Sequence, residues 1–169
     1  MVSSTLVTAQ TSARDLLRHA VATLAYRAGK ALRGAPTGFD SFSVAPGSRT
    51  PGQILAHMGD LFDWALQLAK GASVWNDATP LLWDQEVARF FAALEAFDRH
   101  LESGAPLPEG FTEDKLFQGP VADAFTHTGQ IAMLRRLAGS PVRGESYFRS
   151  DIEIGRVGED QAPPRREFD

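Results

Sequence analysis

Two histidines and an aspartate offer the most specific chemistry in this sequence. Asp123 and His127 stand at i and i+4, a spacing that in a helix places both side chains on one face, with Cβ atoms about 6 Å apart, suited to chelating a single ion. His57 lies far away in the chain, inside the run Ile54, His57, Leu61, Trp64, Leu68, spaced 3, 4, 3, 4 and so forming one stripe of a helix. An imidazole in an apolar stripe needs a hydrogen bond or a metal, because burial without a partner costs on the order of 1–3 kcal/mol. Two histidines and a carboxylate suit zinc, nickel, iron(II) or manganese. Three protein ligands leave positions open for water or substrate, as in catalytic sites. The expectation is one divalent metal ion held by His57, Asp123 and His127. Gln130 and Asp60, each about one turn from a ligand histidine, are candidates to orient the ligands. Competing readings make His57 a core histidine bonded to a carboxylate, Asp123 a first-turn acid satisfying the helix dipole, and Gln130 and Asp60 polar residues of the surface. Trp64 and Phe125 are either pocket walls or core. His19, beside Arg18, reads as partly exposed, and His100 as a cation near a helix C-terminus.

These residues need helices to bring them together. The first helix is expected from about Thr8 to Leu32, on the spacing of Leu16, Leu17, Ala20, Val21, Leu24, Ala28 and Leu32. The second has a capping box, with Thr50 at the N-cap, Pro51 at the first position and Gln53 at the third, and it ends at Lys70-Gly71. The third begins near Thr79-Pro80 and carries a bundle seam of Trp83, Val87, Phe90, Leu94, Phe97 and Leu101. The fourth begins at Gly119-Pro120 and stops at Gly139-Ser140-Pro141. Four amphipathic helices without a βαβ rhythm predict an all-α, up-and-down four-helix bundle. In such a bundle the second and last helices run parallel. His57, six residues after Pro51, and Asp123 and His127, three and seven after Pro120, then reach a common level about 5–10 Å from the helix starts. Tyr147, Phe148, Ile152, Ile154 and Val157 predict a short C-terminal extension packed on the bundle. Residues 1–158 form the domain, and 159–169 read as a polar tail.

Composition narrows the function classes. A chain of 169 residues, 43% hydrophobic and 22% charged, can bury one core. A net charge of −4 and no basic stripe argue against nucleic acid as partner; Arg135-Arg136 reads as solvated charge near a helix end. The absence of cysteine removes thiolate metal sites and disulfides and fits a reducing compartment. Met1 to Gln10 has no basic region followed by an apolar run, and no stretch reaches the roughly 18 apolar residues of a membrane span. The expectation is a cytoplasmic protein with no membrane partner.

Two segments resemble the DinB/YfiT-like metalloenzyme family. Thr50-Pro51-Gly52-Gln53-Ile54-Leu55-Ala56-His57-Met58-Gly59-Asp60 is similar to the family's second-helix segment with its single metal-binding histidine. Asp123-Ala124-Phe125-Thr126-His127-Thr128-Gly129-Gln130, followed by Leu134-Arg135-Arg136-Leu137-Ala138-Gly139, is similar to the last bundle helix. The resemblance extends to helix order over roughly Thr8 to Pro141. Asp123 stands where that family has a first histidine, and Thr126 where another histidine is frequent; these are departures. The resemblance implies a metal-dependent enzyme acting on a small molecule, a transferase or isomerase using a low-molecular-weight thiol. The alternative is a non-catalytic helical module, a homodimer built on the Trp83–Leu101 seam, or a degenerate relative of the family.

Overall fold

The computed structural model describes residues 11–168; Thr8 to Gln10 of the expected first helix lie outside them. The chain forms an all-α bundle with a C-terminal extension: α1 (Ala13–Leu32), α2 (Pro51–Ala69), α3 (Trp83–Glu102), and a last arm made of α4 (Glu113–Leu116), a π-helical turn over Phe117–Val121 and α5 (Ala122–Leu137). No helix among the described residues is long and apolar enough to cross a membrane.

Local chemistry sets the ends. Ser12 caps α1 with a reciprocal bond to Asp15, so the helix starts later than apolar spacing suggests, and Leu16 of that spacing is exposed. Thr50 and Gln53 make the same box on α2. Gly71, with φ 88°, follows α2 in the left-handed conformation that ends helices. Two starts differ from the sequence expectation. Thr79-Pro80 precedes α3 by a short extended stretch, and the helix opens at Trp83. Pro120 does not start the last helix but sits inside it, in the π turn. A proline has no N–H to give the preceding turn, and a π turn at that point absorbs the missing bond.

Helix directions follow from the cross-contacts. Arg89, early in α3, reaches Ala56 and Asp60, while His100, late in α3, faces the Ala69 carbonyl in the last turn of α2. So α2 and α3 run the same way, and the 70–82 connection must travel back along the bundle. At one end Ile54 lies beside Leu134 and Leu137, and at the other Leu68 lies beside Leu116 and Pro120. So α2 and α5 are antiparallel, not parallel as an alternating order has them. The end of α5 packs at the end of α1, where the Arg135 guanidinium donates to the carbonyls of Ala31, Arg33 and Gly34. Arg135 is therefore buried and caps α1; it is not a solvated charge.

The core is the α3 seam, all buried except the half-buried Trp83, facing Leu55, Met58 and Phe62 of α2 and Leu17, Val21 and Leu24 of α1. Phe62, Phe90 and Phe97 meet at ring separations of 5.8–6.1 Å. The seam is consumed inside the monomer. On α2 the deepest positions are Leu55, Met58, Phe62, Ala65 and Ala69, one step round from the stripe that holds His57. Flanked by α3 and α5, α2 buries a face wider than one stripe, and His57 falls on its margin.

The C-terminal extension docks on α1 and the core. Val157 is buried, Ile152 packs on the core, and Phe148 points wholly into solvent. The stretch read as a polar tail returns to the bundle. Strand β2 (Glu167–Phe168) pairs antiparallel with β1 (Gly144–Glu145). Buried Glu145 accepts hydrogen bonds from Tyr26, Lys30 and Ser150. Burial pushes its carboxyl pKa up, but these three donors outweigh that and hold it below its ordinary value.

Candidate metal centre

The three ligand candidates meet at the α2–α5 contact. The aspartate Oδ2 of residue Asp123 lies 3.5 Å from His57 Nε2, and its Oδ1 lies 3.4 Å from His127 Nε2. The two imidazoles cross edge to face with centroids 4.9 Å apart, and the three ligand atoms all lie within 4.8 Å of one another. These separations discriminate between the readings. Charge-assisted hydrogen bonds run at about 2.7–2.9 Å, so the carboxylate is not bonded to either ring. A tetrahedral ion with bonds of about 2.0–2.2 Å spaces its ligands about 3.4 Å apart, the length of the two aspartate–histidine separations. The group can hold a metal ion.

Two helices place the three candidates, α2 for His57 and α5 for Asp123 and His127. His57 is positioned by the capped start of α2, two turns upstream. Asp123 follows the π turn by two residues. One residue added to a helical register rotates the following face by about 100°, so the π turn is what aims Asp123 and His127 at α2. The antiparallel pairing also works because the arm really begins at Glu113. His127 sits mid-arm, level with His57, and depth counted from Pro120 had no structural meaning.

Gln130, one turn along α5, meets His127. Its Oε1 lies 2.8 Å from His127 Nδ1. An amide oxygen only accepts, so Nδ1 carries the proton and Nε2 presents its lone pair to the cluster. Asp60 does not join. It is buried and bonds Arg89 at 3.0 Å and the Ala78 backbone N–H at 3.0 Å, so it is neither surface polarity nor a partner of His57. His19 is exposed and His100 is held at Ala69; neither approaches the cluster.

No protein-family model, curated protein or solved structure matches the chain.

The surroundings leave one side open. His127 is 10% exposed, His57 20% and Asp123 45%, so solvent reaches the cluster over the carboxylate. A depression lined by Leu61, Trp64, Gln118, Ala122 and Asp123 lies there. Trp64 thus helps wall the site, whereas Phe125 faces away, toward Arg27 and α1.

One neighbour escaped the sequence reading. Trp75, in the 70–82 connection, packs against the His57 ring at 5.4 Å and edge-on against Trp64 at 5.8 Å. That connection is pinned by Ala78 N–H to Asp60 and Leu81 N–H to Glu86. Its signal was a large aromatic in a segment between a helix stop and a proline, where nothing requires apolar packing.

Proposed function

We propose that this chain is a divalent-metal-dependent enzyme of the DinB/YfiT-like type, with His57, Asp123 and His127 as ligands. It acts on a small molecule by thiol transfer or isomerisation. The donor spacing carries the reading: a carboxylate between two imidazoles, near both and bonded to neither. Three ligands with an open side match a catalytic rather than a closed structural centre. A bound divalent ion lowers the pKa of a water or thiol ligand and makes it a nucleophile at neutral pH. The protein's own part is to hold His127 in one tautomer through Gln130, to keep Asp123 open to solvent, and to cover His57 with Trp75. Asp123 in place of a histidine reduces the net charge of the loaded site by one and adds a harder ligand.

The test is metal uptake. The untagged chain, stripped with chelator, is titrated with zinc, nickel, manganese and, under anaerobic conditions, iron(II), with elemental analysis of the product. One ion per chain is expected for the wild type and none for His57→Ala. Tryptophan emission gives a second readout, since Trp75 touches a ligand ring. Unchanged stoichiometry in His57→Ala sinks the ligand assignment. No uptake of any ion would leave a non-catalytic module or a degenerate relative of the family.

A further inference from the structure

A groove of about 560 Å³ opens directly off the cluster, within the size range of small-molecule sites. His127 and Gln130 line one end, and Ile54 and Leu134 form a buried floor. Val44, Met133 and Leu137 line it too, each about half exposed. Three half-exposed apolar side chains thus gather around one hollow. Along α5 the wall runs from His127 to Leu137, ten residues or about 15 Å at 1.5 Å per residue.

One lining residue carries charge. Arg49 is exposed and makes no hydrogen bond or ion pair among the described residues. No carboxylate lines the groove with it. Because α2 and α5 are antiparallel and His57 meets His127, Arg49 lies eight residues before His57, toward Leu137. The helical part, from Pro51 to His57, spans six residues or about 9 Å, and Arg49 lies two residues beyond it. The groove therefore has a ligand histidine at one end, an uncompensated cation toward the other, and hydrocarbon between.

We propose that this groove seats an elongated substrate with an apolar middle and one anionic end, the anion paired with Arg49 and the reacting end delivered to the His57–Asp123–His127 cluster. The reacting end rests on the metal reading above; the apolar wall and the cation do not. Arg49 is a specificity residue, selecting an anion at a fixed distance from the chemistry.

The test measures octanoate and 1-octanol binding to the full, metal-stripped chain by calorimetry. Octanoate is expected to bind at one per chain, at least tenfold tighter than octanol. Arg49→Gln should bring octanoate to the octanol level and leave octanol unchanged. Leu137→Glu, at a half-exposed position that folding tolerates, should weaken both. Equal octanoate affinity in wild type and Arg49→Gln overturns the proposal, as does failure of octanoate to bind the wild type. His57→Ala should keep octanoate binding while losing metal. If metal uptake fails in the wild type but Arg49-dependent octanoate binding holds, the metal reading falls and the anion-selective groove stands.

Discussion

Three residues apart on α2, His57 and Asp60 belong to polar clusters of opposite character. Around Asp60 the buried contacts are short bonds, and only exposed Asp63 stands off, at 3.3 Å from Arg89. Arg89 bonds Asp60 at 3.0 Å, Glu86 at 2.9 Å and the Ala56 carbonyl at 2.6 Å. Glu86 is fully buried. Gly59 leaves the space that Arg89 fills, since a Cβ there would lie 2.7 Å from the guanidinium. Burial alone would lower the Arg89 pKa, but Glu86 and Asp60 raise it above the ordinary value. Around His57 the distances are 3.4–3.5 Å, and the cluster opens to solvent. One set is complete without anything added. The other is looser and open, and it could hold a metal ion. Proximity of charged side chains says little; bond length and satisfaction separate a structural network from a ligand set.

The largest expected effect breaks the structural half of this comparison. Arg89→Ala leaves Glu86 and Asp60 buried without their cation, and removing one partner of a buried pair costs about 3–5 kcal/mol. Denaturant unfolding should show a loss of that size. His57→Ala, on the margin of the core and bonded to no side chain, should cost far less in the metal-free protein. If the two variants lose equal stability, the distinction between the clusters is wrong.

The ligand half is sharpened by Gln130→Ala. Its amide fixes the His127 tautomer without touching the ion, and loss of such a partner lowers metal affinity by about 10–100-fold. Stoichiometry should stay at one ion per chain, which separates Gln130 from His57. Gln130 is exposed, so stability of the stripped protein should not move. Unchanged affinity would mean that His127 needs no orienting partner.

What the sequence disclosed follows from how local each signal is. The α2 start was readable because Thr50, Pro51 and Gln53 form a contiguous box. The α3 seam was readable because one face is apolar throughout. The pairing of Asp123 and His127 was readable because they share a turn, and the structure brings His57 to them. Helix direction was not readable, because nothing in residues 70–82 announces a connection that runs the length of the bundle. The π turn was hidden because Pro120 also fits a helix start. Burial of Arg135 and Asp60 was hidden because their partners, the α1 carbonyls and Arg89, come from distant segments. His57, Asp123 and His127 converge although α2 and α5 are antiparallel and the last arm starts at Glu113, so equal depth from Pro51 and Pro120 is not what brings them together.

The smallest expected effect addresses what the two clusters share. Both hang from α2, whose first turn is closed by Thr50 Oγ1 accepting from Gln53 N–H and Gln53 Oε1 accepting from Thr50 N–H. Thr50→Ala removes the side-chain half of that box and should cost about 1 kcal/mol, read by thermal or denaturant unfolding. If the clusters are independent structures on one rigid helix, this loss should add to that of Arg89→Ala, because the two sites share no partner. Metal affinity should be the same as in the wild type, since His57 lies two turns into the helix, where the ladder of backbone bonds no longer depends on the cap. A fall in metal affinity in Thr50→Ala would show that His57 is held by a helix end that frays, and that the site is less rigid than the Arg89 network beside it.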